Sequence, residues 1–199
     1  RQRQMCIRDR FRGKLSGQSV IVRGNEAVSF LSERGYGILR GEELHLDLVE
    51  AAYLVHRGWL IVEGNDGHEM CFAEIVRVGS EANPEFWTRL SVYADLRNRA
   101  LIVMPGVVEN EFLVDWRRKD SARRFLVRIL REGSRISFVD LEEMHRRALE
   151  SDRELVVAIV DKEGVVTYYV VEGVSRVAPS EAEGLEQAQP EQEGPEEPG

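Results

Sequence analysis

Hydrophobic and polar residues alternate over short stretches near the start of the chain, and this period of two predicts β-strands. The clearest case is formed by Leu44, Leu46 and Leu48, which alternate with His45 and Asp47. After Leu48 the apolar spacing changes to the three-to-four-residue period of a helix. In this first part we expect strands over residues 18–23, 44–48 and 59–62, and short helices over residues 27–34, 48–57 and 69–77.

A longer helix is predicted at the Asn-Pro pair at residues 83–84, because Asn is a favoured N-cap and Pro a favoured first helical residue. Phe86, Leu90, Tyr93 and Leu96 then repeat at the spacing of one helix face, which we interpret as core packing. Further along we expect strands over residues 100–104, 111–116, 125–130, 155–160 and 165–171, and a helix over residues 138–150.

In that last helix Leu141, His145 and Leu149 share one side, so we expect His145 to be a structural residue that faces the core. The mixture of short strands and helices predicts an α/β fold with two domains. We expect a small mixed α/β N-terminal domain over residues 11–82 and a C-terminal α/β domain with a mostly antiparallel or mixed sheet over residues 83–178.

Both ends differ in composition from this core. Residues 179–199 carry seven glutamates, no Lys or Arg, and four of the six prolines, which is typical of a disordered acidic tail. Residues 1–10 read RQRQMCIRDR and are similar to the conceptual translation of a transposase-type sequencing adapter. We therefore expect this segment to be non-native and leave it out of the fold prediction.

Composition excludes several classes of protein. The chain has 199 residues and a formal charge of −8, which argues against a general nucleic-acid coat, although a local basic site is compatible with it. Two cysteines cannot build a disulfide framework, and the four scattered histidines give no zinc-site spacing. No apolar run is long enough to span a membrane. A reducing, cytoplasmic location is the expectation.

Three blocks of the sequence resemble the archaeal tRNA-splicing (tRNA-intron) endonucleases over most of residues 20–175. The first block is Tyr36-Gly37, followed by Leu44-x-Leu46-x-Leu48-x-Glu50-Ala51-x-Tyr53-Leu54 and Gly58. The second is Tyr93-x-Asp95-Leu96-Arg97-x-Arg99, in which Ala100 replaces the glycine of the family. The third is the strand, turn and strand from Leu155 to Tyr169. Their order and spacing together make the resemblance specific, and it implies a nuclease-like C-terminal domain.

The resemblance implies metal-free RNA cleavage by a tyrosine, a histidine and a lysine, with no cofactor. The tyrosine helps to deprotonate a ribose 2′-hydroxyl, the histidine protonates the leaving 5′-oxygen, and the lysine stabilises the charged phosphorane. The corresponding positions in this chain are Asp115, Ala122 and Arg153, and an ungapped alternative puts Trp116 at the position of the tyrosine. Because a methyl group cannot transfer a proton, we expect no independent active site. The alternative is a displaced site that uses Asp115 as base or His145 as acid.

In several archaea the family forms heterotetramers of catalytic and structural subunits with one fold, and this chain resembles the structural kind. The resemblance implies that the acidic turn with Asp161, Glu163 and Gly164 docks into a basic cleft of the opposing subunit. It also implies that the strand with Val166 and Tyr168 pairs across the subunit interface. An ordinary hairpin turn and an ordinary core strand are the alternatives.

Seven cations lie between residues 117 and 131 beside the single Asp120, a local charge of +6. This cluster is consistent with phosphate contacts, a solvated face, or a socket for an acidic loop of a partner. The candidate RNA-binding residues are Arg117, Arg118, Lys119, Arg123, Arg124 and Arg146. The resemblance identifies Arg146 with an arginine that stacks on a flipped bulge nucleotide, and an exposed helix arginine is the alternative.

The sequence therefore predicts the non-catalytic structural subunit of a heteromeric tRNA-intron endonuclease. Its expected partners are a catalytic subunit and pre-tRNA with a bulge–helix–bulge. Two alternatives stay open. One is a self-sufficient endonuclease that leaves a 2′,3′-cyclic phosphate and a 5′-hydroxyl, and the other is a pure interaction module of the same fold.

Overall fold

The computed structural model describes residues 10–118 and 121–173. Residues 11–70 contain a six-stranded sheet with the strand order β3-β4-β2-β1-β5-β6. Strands β1 and β5 are parallel, and the other neighbours are antiparallel. The elements of this part are β1 (Phe11–Ser16), β2 (Ser19–Val22), α1 (Asn25–Ser32), β3 (Ile38–Arg40), β4 (Glu43–Asp47), α2 (Leu48–His56), β5 (Leu60–Glu63), β6 (Glu69–Met70) and α3 (Phe72–Ala82).

The second sheet has five strands in the order β11-β10-β9-β8-β7. Strands β9 and β10 are parallel, and the remaining pairs are antiparallel. Both sheets are therefore mixed, which confirms the predicted α/β fold class. The elements are α4 (Phe86–Asn98), β7 (Ile102–Pro105), β8 (Glu111–Arg118), β9 (Ser121–Arg131), α5 (Phe138–Glu150), β10 (Glu154–Val160) and β11 (Val166–Val171).

The change from strand β4 to helix α2 is fixed by a capping box. Asp47 Oδ1 accepts a hydrogen bond from the backbone N–H of Val49 at 2.8 Å, and Glu50 Oε2 accepts one from the N–H of Asp47 at 2.9 Å. These two bonds satisfy backbone donors that the first turn of a helix leaves unpaired. The spacing of the apolar residues changes at Leu48 because strand β4 ends at Asp47 and helix α2 begins at Leu48.

Helix α4 packs against helices α2 and α3 and against the second sheet. Its predicted stripe of Phe86, Leu90, Tyr93 and Leu96 is buried, which confirms that interpretation. Buried residues of both sheets and of this helix form one continuous core. The helix begins at Phe86 rather than at the 83–84 pair, because the Asn side chain accepts a hydrogen bond within the preceding turn.

The expectation of a helix over residues 69–77 is corrected. Residues 69–70 form strand β6, and α3 runs from Phe72 to Ala82, so this helix is later and longer than expected. It continues through Gly79, where a Cβ atom would lie within 3.0 Å of the Phe86 ring; the glycine lets α3 and α4 pack closely.

Helix α5 has the expected bounds, but it buries a different face. Met144 and Ala148 are buried against Leu126 and Leu155 of the second sheet, whereas Leu149 is exposed. The expectation that His145 faces the core is therefore wrong, and its side chain is only half-buried. Among the described residues, no helix is long and apolar enough to cross a membrane.

Candidate functional site

The three positions expected to correspond to a catalytic triad lie together on one face of the second sheet. In the β8–β9 hairpin, Asp115 is paired with Arg124 and Arg117 with Ala122, and cross-strand partners share a face. Arg153 directly precedes β10, which runs parallel to β9. A shallow surface pocket of about 290 Å³ is lined by Ala122, Arg123, Arg124, Leu149, Asp152, Arg153 and Glu154.

Arg153 does not extend freely into this pocket. Its Nη1 donates a hydrogen bond to Asp115 Oδ1 at 2.9 Å and to the backbone carbonyls of Val114 and Phe125 at 3.3 Å. Only 6% of the Arg153 side chain is exposed. Arg117 Nη2 lies 3.6 Å from the other oxygen of Asp115. Asp115 and Arg153, which are expected at the positions of the tyrosine and the lysine, thus form a largely buried ion pair.

Arg123 and Arg124, which follow Ala122 in β9 and also line this pocket, are paired as well. Arg123 Nε donates to Glu154 Oε1 at 2.9 Å, and its Nη2 contacts Glu154 Oε2. This hydrogen-bonded pair lowers the pKa of Glu154 and raises that of Arg123. Arg124 Nη1 lies 3.4 Å from Asp152 Oδ2. Both pairs are largely exposed, so each contributes little to stability.

Arg128 and Arg131 of the 117–131 cluster have partners that are distant in sequence. Arg128 donates to the Glu109 carbonyl at 3.0 Å, and Arg131 Nε lies 2.6 Å from Glu85 Oε2. Arg117 is 72% exposed despite its contact with Asp115. The side chain of Arg118 and all of Lys119 lie outside the described residues.

Helix α5 carries two neighbouring arginines with different surroundings. Arg146 is exposed and forms an ion pair with Glu150 one turn later. Arg147 holds the carboxylate of the buried Glu111 through two hydrogen bonds of 2.7 and 3.1 Å. Arg147 and Glu111 therefore join α5 to the start of β8, a contact that the sequence analysis did not identify.

The acidic turn between β10 and β11 is held by one of its own carboxylates. Asp161 Oδ1 accepts hydrogen bonds from the backbone N–H groups of Glu163 and Val165 at 2.9 and 2.8 Å. Gly164 adopts a positive φ of 83°, which favours glycine. The Glu163 side chain is 62% exposed. The turn is thus a stiff hairpin tip that presents a carboxylate to solvent.

Strand β11 is an edge of the second sheet, because β10 is its only described neighbour. Val166 and Tyr168 are half-buried and pack against the main core. Val165, Tyr169 and Val170 are exposed. An apolar edge with free backbone groups on one side can pair with a further strand.

No group of three or more His, Cys, Asp or Glu side chains within residues 10–118 and 121–173 is arranged to hold a metal ion. The charged side chains that line the pocket at Ala122 carry guanidinium groups, from Arg123, Arg124 and Arg153, and carboxylates, from Asp152 and Glu154.

Comparison with known proteins assigns the family. The model of the tRNA intron endonuclease N-terminal domain matches residues 11–76, and that of the catalytic C-terminal domain matches residues 86–168. The chain is 36% identical over 161 residues to a tRNA-splicing endonuclease of Pyrococcus abyssi, which covers 80% of this chain and 94% of that protein. The chain belongs to the tRNA intron endonuclease family.

Other relatives support the same assignment. The tRNA-splicing endonuclease of Pyrococcus furiosus is 35% identical over 159 residues, 79% of this chain and 93% of that protein. That of Methanococcus vannielii is 30% identical over 162 residues, 78% of this chain and 90% of that protein. The similarity extends over both sheets.

The family block at residues 93–99 has a structural role in this chain. Arg97 is buried and donates to the Arg34, Gly35 and Val103 carbonyls at 2.9, 2.5 and 3.0 Å. Its guanidinium lies 3.9 Å from the centre of the Tyr36 ring. Arg97 thereby fastens the turn after α1 to strand β7 of the second sheet.

Proposed function

We propose that this chain is the non-catalytic structural subunit of a heteromeric tRNA-intron endonuclease. In this role it scaffolds a catalytic homologue, with a heterotetramer as the assembly, for the cleavage of pre-tRNA at bulge–helix–bulge introns. The family assignment supports this proposal, because the relatives that match most of the chain are tRNA-splicing endonucleases.

The observation that carries the proposal is the ion pair between Arg153 and Asp115 beside Ala122. By resemblance, the reaction needs a proton donor and a base at two of these positions and a cation against the phosphate at the third. Ala122 has no proton to give, and a general acid or base contributes about 10²–10⁴ in rate. The Arg153 cation is engaged with Asp115 and two carbonyls instead of being presented to a ligand.

Two features of the chain are proposed to contact the partner subunit. The turn with Asp161, Glu163 and Gly164 is stiffened by its own hydrogen bonds, so docking it costs little conformational entropy. Its exposed Glu163 carboxylate suits a basic cleft. The edge strand with Val166 and Tyr168 offers backbone groups for pairing between subunits.

The chain also helps to present pre-tRNA to the catalytic subunit in this proposal. Arg146 and Arg117 are suited to this, since both side chains are largely exposed and each is paired with a carboxylate that a phosphate can replace. Arg123 and Arg124 contribute after exchanging Glu154 and Asp152 for phosphate oxygens. Arg118 and Lys119 are adjacent in sequence to this group.

The test is reconstitution with the homologue of the same genome that keeps the tyrosine, histidine and lysine. We expect the two chains to co-elute, and we expect intron-containing pre-tRNA to be cleaved faster by the mixture than by the homologue alone. A pure interaction module predicts no effect on cleavage and no salt-sensitive RNA binding. Absence of a triad-bearing homologue from the genome would contradict the proposal.

A further inference from the structure

Trp87, in the first turn of α4, is a large aromatic side chain that is 55% exposed. Its ring lies 6.5 Å from that of Phe72 in an edge-on arrangement, so helix α3 holds one of its sides. Tryptophan is strongly enriched among the residues that dominate binding energy in protein interfaces. An exposed Trp held by its neighbours is therefore a candidate anchor.

One side of Trp87 borders an apolar pocket of about 240 Å³ between α2, α3 and α4. The pocket is lined by Tyr53, His56, Phe72, Leu90, Ser91 and Ala94 together with Trp87. The His56 ring lies 5.3 Å from the Phe72 ring. A pocket with this lining has room for one apolar side chain of a partner.

Trp87 also lines a second pocket of about 420 Å³ that includes the turn at residues 161–164. The charged side chains at this pocket are Arg131, Lys162, Glu132, Asp161 and Glu163. Arg131 is in turn paired with Glu85 at 2.6 Å. Three carboxylates and two cations line this pocket, and Glu85 adds a further carboxylate beside Arg131, so the net charge here is negative.

We infer that the two pockets and Trp87 between them, here called the Trp87 surface, form one docking surface for the catalytic partner subunit. This inference rests on the proposed function, because the turn at 161–164 is the element proposed to dock. The segment of the partner that binds here carries an apolar side chain, which fills the pocket lined by Phe72. It also carries a neighbouring Lys or Arg, which pairs with the carboxylates of the second pocket. The net negative charge disfavours RNA as the occupant, since phosphates are repelled.

The surface divides the binding energy into two parts with different salt dependence. Burial of the Trp87 ring is an apolar contribution that salt does not screen, whereas the contribution of the Glu163 carboxylate is screened. The Trp87→Ala variant is therefore expected to weaken the complex by about tenfold or more at both low and high salt. Glu163→Gln is expected to weaken it only at low salt.

The experiment measures the affinity of the full chain for the triad-bearing homologue at two NaCl concentrations. Phe138→Ala is the matched control, because Phe138 is an aromatic residue that is 68% exposed on a different helix. A sample labelled with 5-fluorotryptophan reports on Trp87 by 19F NMR, and Trp59→Phe and Trp116→Phe assign its resonance among the three tryptophans. We expect the Trp87 resonance to move when the partner binds.

The outcomes separate the two proposals. The unmodified chain could form the complex without any shift of the Trp87 resonance, and Trp87→Ala could bind as tightly as Phe138→Ala. This result would overturn the inference about the Trp87 surface and leave the structural-subunit role intact. No complex with the unmodified chain overturns both. A Trp87 resonance that moves with pre-tRNA alone, together with weaker RNA binding by Trp87→Ala, assigns the surface to RNA and overturns the inference.

Discussion

The hydroxyl of Tyr168 donates a hydrogen bond of 2.7 Å to Asp95 Oδ2, which joins the edge strand β11 to helix α4. Asp95 also accepts a hydrogen bond from Arg99 at 2.9 Å, and the Arg99 guanidinium lies 5.4 Å from the centre of the Tyr168 ring. Burial first, and then the bond to Asp95, raises the pKa of Tyr168. The family block at residues 93–99 thus holds the strand proposed to pair with a partner.

We predict that Tyr168→Phe lowers the free energy of unfolding by about 1–2 kcal/mol, because Asp95 loses a donor in a partly buried site. The measurement is urea denaturation. Tyr169→Phe is the control, since Tyr169 is exposed on the same strand and its hydroxyl is expected to contribute less than about 0.5 kcal/mol. Equal effects of the two substitutions would show that the bond to Asp95 does not hold β11.

The pair formed by Asp115 and Arg153 is predicted to behave as a buried ion pair. Asp115→Asn leaves the Arg153 cation without its carboxylate partner and lowers the free energy of unfolding by about 3 kcal/mol. The double variant Asp115→Leu/Arg153→Met is expected to lose much less free energy of unfolding than the sum of the losses in Asp115→Leu and Arg153→Met alone.

The nearby pair of Arg123 and Glu154 supplies the matched control, because it lies on the same part of the sheet and is exposed. Arg123→Ala is expected to cost less than about 1 kcal/mol. Denaturant unfolding of Asp115→Asn, of Asp115→Leu and Arg153→Met singly and together, and of Arg123→Ala measures these differences. Additive losses in the Asp115 and Arg153 cycle would mean that the two groups do not act as a pair.

Glu50 is predicted to make stability depend on pH. Burial raises its pKa from 4.5 to about 7, although the N–H groups of Gly37 and Asp47 stabilise the carboxylate. Between these two values the folded state keeps the proton that the unfolded state has released, so stability falls as pH rises through this window. The shift corresponds to about 3 kcal/mol lost between pH 4 and pH 8.

The measurement compares the free energy of unfolding of the unmodified chain and of Glu50→Gln across that range. Between pH 4 and pH 8 the unmodified chain is expected to lose about 3 kcal/mol of unfolding free energy relative to Glu50→Gln. Glu42→Gln, at an exposed position, is the control. Parallel pH profiles for the unmodified chain and Glu50→Gln would refute the prediction.

The helices and strands could be predicted largely from local pattern. The bounds of α5 and the buried stripe of α4 follow from apolar spacing alone. The buried face of α5 could not be chosen in this way, because Leu141 forms a helical stripe with Met144 and Ala148 and another with His145 and Leu149. Contact with Leu126 and Leu155 of the sheet decides between the two stripes.

The candidate site illustrates the limit of sequence more clearly. The positions of Asp115, Ala122 and Arg153 were chosen by resemblance, and the fold brings them to one face. The pairing of Arg153 with Asp115 joins residues 38 positions apart, so no local pattern reveals it. The same holds for Arg123 and Arg131, whose partners Glu154 and Glu85 are also distant in sequence.

The most direct test of the central claim is a single-turnover assay with the isolated chain in excess over an intron-containing pre-tRNA. The claim is that Ala122 and the Asp115–Arg153 pair leave no functioning acid and base in this chain. We predict no product ends at either intron border, while the triad-bearing homologue cleaves the same RNA. Cleavage at both borders by the isolated chain, leaving 2′,3′-cyclic phosphate and 5′-hydroxyl ends, would contradict the account.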